Sequence, residues 1–173
     1  MTTTLEQVEA LPAAYPVLRP AVPDAVWARL ESYVSWRWTP RSVVWTVEGP
    51  GLWRAPLAPA TISATEKWDD VAKAFAAVTL DASPFDGYTL SGCGPFRFTA
   101  TVGDGVTVPA VVAEAAQRLA SYMAANPGTP GAATERTDVP GVLSTEVTRL
   151  PSWMARALQN SGAADLLRQY RRV

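Results

Sequence analysis

The feature that most restricts the fold of this chain is a strand pattern followed at once by a helix pattern. In Phe96–Val102, large apolar residues alternate with polar ones, as in a β-strand with one buried face. Gly103 and Gly105 predict a turn, and residues 109–125 begin with a proline and then carry a broad apolar helix face. Because the hydrophobic period changes from that of a strand to that of a helix, the fold must combine sheet and helix.

Similar patterns place helices near both ends of the chain and strands between them. A helix is expected from Asp24, acting as its N-cap, to about Trp36, and another from Ser152 to about Gln159. Between them, Arg41–Glu48 alternates as a strand does. The sequence therefore predicts an α+β fold, in which the N- and C-terminal helices form a small helical bundle. An antiparallel β-rich segment is inserted in the middle, and a C-terminal helix protrudes.

We expect a single domain over residues 1–173. It comprises an N-terminal arm and helix (1–40), the β-rich insertion (41–108) and a helical part that ends in the protruding helix (109–173).

Less regular segments predict turns and extended chain. Residues 1–23 contain four prolines, so a short helix is allowed at 5–10 and the rest is expected to be an extended arm. Such an arm lies either on its own domain or on a neighbouring subunit. Residues 71–80 fit a helix or a strand, and we favour the strand. Residues 128–141 predict a polar loop, and residues 142–150 predict an edge strand.

The composition argues against most catalytic chemistry. The 173 residues include no histidine and one cysteine, so the usual general base, the histidine-activated nucleophiles and the commonest metal ligands are lacking. We therefore expect no enzyme, no cofactor and no metal site. A net charge of −1 provides no basic field for nucleic acid or membrane surfaces. With neither a signal-peptide pattern nor an apolar run of membrane-spanning length, a cytoplasmic location is expected.

Four tryptophans are clustered in the chain, at Trp36, Trp38, Trp45 and Trp53. Such residues can stack on sugar rings, but they more often fill a small β core or anchor a subunit interface. We favour the core or interface, and a carbohydrate- or ligand-binding β module is the alternative function.

Residues 163–173, hereafter the terminal segment, have an amphipathic helical pattern. One stripe is apolar and the opposite one polar; the apolar stripe contains Ala163, Leu166, Leu167 and Tyr170. A helix this short is marginal alone in water, so its apolar stripe must pack on something. Spacing alone leaves two possibilities open: the segment folds back on its own domain, or it is an arm that docks on a partner.

Three stretches together resemble the head-tail connector proteins of phages. They are the passage from Phe96 through Gly105 to Val108-Pro109 and a helix, the motif Trp53-Arg-Ala-Pro-Leu57, and residues 151–172, PSWMARALQNSGAADLLRQYRR. The last stretch is especially similar to the adaptor protein of alphaproteobacterial gene transfer agents, which are phage-like particles that package host DNA.

The resemblance implies a structural head-tail adaptor, also called a head-completion protein. Such proteins form a homo-oligomeric ring, usually a dodecamer, below the portal protein. They join the DNA-filled capsid to a tail-side stopper, and double-stranded DNA passes through the channel without specific binding. The protein would be cytoplasmic during assembly and then part of the particle's neck.

In this family the C-terminal helix docks on the portal. By resemblance, the portal-binding residues are therefore in the terminal segment; besides Ala163, they are the apolar Leu166, Leu167 and Tyr170 and the polar Arg168, Arg171 and Arg172.

Overall fold

A computed structural model describes residues 1–84, 86–92, 94–125, 134–139, 143–148 and 152–171. It divides them into two units. The first, hereafter the β unit, comprises residues 1–16 and 35–107. The second, hereafter the helical unit, comprises residues 17–34 and 108–171.

The β unit contains two antiparallel sheets. Its strands are β1 (Thr3–Glu9), β2 (Arg41–Glu48), β3 (Gly51–Trp53), β4 (Ala60–Asp69), β5 (Ala74–Ala77), β6 (Asp81–Ala82), β7 (Tyr88–Leu90) and β8 (Phe96–Val102). The larger sheet has the order β1-β2-β8-β4-β5, and the smaller one has the order β3-β7-β6.

The alternating strands β2 and β8 form the centre of the β unit's core. Trp45 lies opposite Phe98 in the antiparallel register, and both side chains are fully buried. Trp53 of β3 stacks on Phe98, with 4.0 Å between ring centroids, and meets the edge of Trp45 at 5.6 Å. Offset and edge-to-face aromatic pairs of this kind add to the stabilisation from apolar burial. The predicted strands Arg41–Glu48 and Phe96–Val102 are thus confirmed.

The helical unit is built around one long helix. Its elements are α1 (Asp24–Tyr33), α2 (Ala110–Ala125), β9 (Thr134–Val139), β10 (Leu143–Thr148), α3 (Ala157–Asn160), α4 (Ala163–Leu166) and a 3₁₀ helix (Arg168–Tyr170). Strands β9 and β10 form an antiparallel hairpin. Helix α2 buries Val112, Ala115, Ala116 and Leu119, and the small side chains allow close approach of the elements that pack on it, α1, α3 and α4.

The predicted helical bundle is wrong. The described residues form a mostly β structure with three sheets and four α-helices, of which only α1 and α2 exceed four residues. The expected C-terminal helices are reduced to α3 and α4, of four residues each, and cannot form a bundle. At the N-terminus, the helix allowed at 5–10 is instead β1, which extends the larger sheet by pairing with β2. The pattern of residues 1–10 was too polar to predict that strand, because only one of its sides faces the core.

The predicted protruding C-terminal helix is also wrong. The terminal segment begins with the four-residue helix α4 and continues as the 3₁₀ helix, and Leu167 between them is fully buried. A helix of this length is not stable alone, so its apolar stripe packs within the helical unit.

Smaller predictions had mixed outcomes. The strand favoured within 71–80 is present as β5, and the edge strand within 142–150 is present as β10. The loop predicted at 128–141 is wrong where β9 forms. Asp24 is the first helical residue rather than the N-cap, which is Pro23 with no side-chain cap.

Candidate functional site

The candidate site is the outer surface of the terminal segment in the helical unit. Helix α3 ends at Asn160, and Gly162 then adopts a φ of 74°, a left-handed conformation that favours glycine. This turn changes the chain direction and starts α4. The sequence Asn160-Ser-Gly162 therefore forms the turn between the two short helices.

Two residues fix the terminal segment to the helical unit. Ala163 and Leu167 are both 0% exposed, and α4 packs on α2 and α3. Burying a leucine side chain contributes about 1.5–3 kcal/mol relative to leaving it in water. The segment is therefore held in place by its own chain, and Leu167 is not available as an anchor for a partner.

The other side of the segment stays at the surface. Leu166 and Tyr170 are half-buried, whereas Arg168 and Arg171 are exposed. The Arg168 guanidinium lies 2.9 Å from the Asp165 carboxylate, in a pair that is more than 70% exposed on both sides. Exposed pairs of this kind contribute at most about 1 kcal/mol, so Arg168 can exchange its partner at little cost.

Arg171 is oriented by an aromatic ring. Its Nη1 donates a hydrogen bond of 3.3 Å to the Tyr33 hydroxyl of α1, and its guanidinium carbon lies 4.9 Å from the centroid of that ring. The stacking keeps the cation close to the end of the segment without burying it. Arg172, the last predicted portal-binding residue, lies outside the described residues.

The residues of the predicted site thus differ in burial. Leu166, Arg168, Tyr170 and Arg171 retain contact with solvent, whereas Ala163 and Leu167 are buried. Tyrosine and arginine are the residue types that dominate binding energy in many protein interfaces. Side chains of these types can contact a protein surface that offers hydrogen-bond acceptors and apolar groups.

The clustered tryptophans are largely structural. Trp38, Trp45 and Trp53 are each less than 5% exposed, which confirms the core interpretation for these three. The indole nitrogens of Trp45 and Trp53 donate to Gln7 Oε1 at 2.8 Å and to Thr4 Oγ1 at 3.1 Å, and both acceptors are on β1. The hydrogen bonds therefore attach the N-terminal strand to the aromatic core.

One surface cleft in the β unit has no counterpart in the sequence analysis. It has a volume of about 460 Å³, and its lining includes Trp36, Trp53, Tyr88 and Asp86. A Cβ built at Gly87 would lie 2.1 Å from the Trp53 carbonyl oxygen, so only glycine fits where the 83–88 turn meets β3. The lining comes from well-separated segments, and no spacing along the chain could have indicated it.

The sequence pattern also did not predict an ion-pair network in which two buried arginines share one carboxylate. Glu9 at the end of β1 accepts a hydrogen bond from Arg37 Nε at 2.6 Å and another from Arg41 Nη1 at 3.3 Å. Both arginines are only 8% exposed. The network therefore links the end of β1 to Arg37 and Arg41, at the point where the strand gives way to irregular chain.

Two carboxyl groups of β4 in the larger sheet have a pKa below the ordinary value. The Arg97 guanidinium, which donates to Glu66 at 2.7 and 2.9 Å, lowers the pKa of the Glu66 carboxyl. The backbone N–H groups of Ala72 and Val71 lower the pKa of Asp69. Both carboxylates are held in structural roles, one across the sheet and one at the turn before β5.

In the part of the chain that the structure describes, no three histidine, cysteine or carboxylate side chains converge to hold a metal ion. None of the helices in the same ranges is both long and apolar enough to cross a lipid bilayer.

Comparison of the chain with protein-family models, with curated proteins and with solved structures finds no match.

Proposed function

We propose that this protein is a non-enzymatic head-tail adaptor of a phage-like particle, forming a ring below the portal and linking the DNA-filled capsid to the tail. The observation that supports it best is the two-sided terminal segment. Ala163 and Leu167 hold the segment in the helical unit, while Leu166, Arg168, Tyr170 and Arg171 stay at the surface. The sequence resemblance to phage connectors assigns portal binding to this same segment.

In this proposal the segment is a fixed surface rather than a free arm. A surface that is already ordered loses little conformational entropy on binding, so more of its contact energy appears as affinity. A ring presents many copies of the same patch to the portal at once. Modest single contacts then become a durable joint through multivalency.

The proposed partners are the portal protein, a tail-side stopper and further copies of the same chain, in a ring that is a dodecamer by resemblance. The protein would act in the cytoplasm during assembly and then in the neck of the particle. Double-stranded DNA would pass through the ring without specific binding, which agrees with a net charge of −1. The proposal requires no cofactor or metal ion.

Co-assembly with the portal protein encoded by the same genome tests this function. Arg168→Glu reverses a charge on the proposed portal surface, where the residue pairs with an acid three positions away. Lys73→Glu is a matched control, because Lys73 in the β unit is 72% exposed and also pairs with an acid three positions away, at 3.8 Å.

We expect wild type and Lys73→Glu to form portal-bound rings in electron micrographs, and Arg168→Glu to form at least tenfold fewer. If wild type forms no such complex, the adaptor function is wrong. If the two variants behave alike, the terminal segment is not the portal surface.

A further inference from the structure

Exposed apolar side chains are concentrated at the N-terminal end of the described chain. Among the described residues, eight large hydrophobic side chains are exposed, and five of these lie within residues 1–17. Leu11 and Val17 are each 91% exposed. Isolated exposed apolar residues are ordinary, but a series of them on one segment is typical of an interaction surface.

Leu11 and Val17 belong to the proline arm, defined here as residues 10–23. The arm forms neither helix nor strand and contains Pro12, Pro16, Pro20 and Pro23. Proline restricts the unbound chain, so such segments lose little entropy on binding and are recognised by aromatic-lined grooves. One side of the arm is already engaged, since Tyr15 lies under the Arg41 guanidinium carbon at 5.8 Å.

The cleft of the β unit has the matching chemistry. Trp36 and Tyr88, both partly exposed, supply aromatic surface, and the volume of about 460 Å³ is within the range of binding clefts. Trp53 also lines the cleft but is only 4% exposed, and its stack on Phe98 fixes it in the core, so it supports the cleft rather than offering contact area.

The charges of the arm and the cleft are complementary. Among the described lining residues of the cleft, Asp86 is the one charged side chain. The proline arm likewise carries a single charge, Arg19, which is exposed. Opposite charges at an interface direct the register and suppress wrong partners more than they add affinity.

We propose that the proline arm of one copy docks in the aromatic cleft of a second copy of this chain, with Arg19 facing Asp86. Residues 10–16, the part of the arm that belongs to the β unit, are not among the described residues that line the cleft, and Leu11 is exposed to solvent. Donor and acceptor surfaces differ, so the contact is head-to-tail and closes a ring when the rotation permits. This inference rests on the proposed function, for which it supplies the contact between ring neighbours.

Charge reversal in the full chain tests this contact. Arg19→Glu should weaken self-association about fivefold in sedimentation velocity, because it removes an exposed ion pair worth up to about 1 kcal/mol and places two acidic groups together. Asp86→Asn should weaken it similarly, and asparagine tolerates the φ of 74° at that position. The double variant Arg19→Glu with Asp86→Arg should associate more strongly than Asp86→Arg alone, which has the same backbone strain at this φ, since the double variant restores the pair with its sign reversed.

The apolar part of the contact has its own control. Leu11→Ser with Val17→Ser should weaken association about tenfold through the lost apolar burial. Val71→Ser, at a valine that is 95% exposed and outside the arm, should leave it unchanged. A synthetic peptide of residues 10–21 should compete with self-association of the wild-type protein.

Several results would overturn the inference. The wild-type chain could stay monomeric with and without the portal. The Arg19→Glu variant could self-associate as strongly as wild type. The double variant could self-associate no more strongly than the single variants. Binding of simple sugars in the cleft without competition from the peptide would also overturn it and would favour a carbohydrate-binding site. If arm variants still form normal portal-bound rings, this inference fails while the adaptor function stands.

Discussion

The two ends of this chain treat their apolar residues in opposite ways. The terminal segment has a regular helical stripe, and its Ala163 and Leu167 are completely buried. The proline arm has no periodicity, and its Leu11 and Val17 are almost completely exposed. A regular stripe can pack as one surface, whereas a chain interrupted by prolines presents its side chains in several directions.

The terminal segment and the proline arm therefore differ in what they offer to a partner. An amphipathic stripe indicates that one face of a helix is packed against something. It does not indicate whether the protein's own domain or a partner covers that face. At the C-terminal end the cover is the protein's own helical unit, which leaves a fixed outer surface with Arg168 and Arg171. At the N-terminal end, the apolar side chains of the arm remain available to another molecule.

The largest expected effect concerns the anchor of the terminal segment. Leu167→Ala should lower the free energy of unfolding by about 2–5 kcal/mol, because it leaves a cavity at a fully buried site. Leu166→Ala, at the neighbouring half-buried position, should cost clearly less. Urea unfolding followed by circular dichroism measures both. If both variants lowered the free energy of unfolding by equally small amounts, the segment would be a detached arm. The contrast between the two ends of the chain would then be wrong.

The second effect concerns the attachment of β1 at the opposite end. Glu9→Gln should lower the free energy of unfolding by about 1–3 kcal/mol, because two guanidinium groups that are 8% exposed lose their anionic acceptor. Glu6→Gln, on the same strand and exposed, is the control and should have little effect. If the two variants are equally stable, the ion-pair network does not hold the N-terminal strand.

A third prediction concerns pH and the sheet between the two ends. Arg97 lowers the pKa of Glu66 in the folded state, so the pair stabilises the fold above the ordinary glutamate pKa of 4.5. As pH falls through the lowered pKa, Glu66 is protonated and this stabilisation is lost. The melting temperature of wild type should exceed that of Glu66→Gln near neutral pH, and the difference should shrink in acid. A difference that stays constant down to the acid range would contradict the assigned cause.

The smallest expected effect is on the exposed arm. Leu11→Ser with Val17→Ser should change the free energy of unfolding of the isolated chain by no more than about 0.5 kcal/mol, since both side chains are in solvent. The same denaturation experiment checks it at low protein concentration, where association does not contribute. A loss comparable to that of Leu167→Ala would show that the arm is packed on its own chain.

Strong local patterns were sufficient to predict β2, β8 and α2. In β8, Phe96, Phe98 and Ala100 alternate so regularly that one face must be buried. The strand β1 could not be predicted in the same way, because its assignment depends on pairing with β2 some forty residues later. The residues of β1 that reach partners of the β unit are polar, and Gln7 and Glu9 accept hydrogen bonds from Trp45 and Arg37, which are distant in sequence.

The assignment of the terminal segment to portal binding stays a prediction. Helical spacing placed Leu166, Leu167 and Tyr170 on one stripe. In the structure Leu167 is buried and the other two are half-buried, and the α-helix gives way to a 3₁₀ helix after Leu167. A break of one helical turn cannot be derived from periodicity, because either helical form is compatible with the same residues.

Hydrogen exchange of the full chain, measured with and without the cognate portal ring, tests whether the terminal segment is an anchored docking surface. We expect amides around Leu167 to be protected already in the free protein, and the portal to add protection at residues 168–171. Free exchange of the whole segment until the portal binds would show a mobile arm instead of an anchored surface. No change on adding the portal would contradict its role as the docking surface.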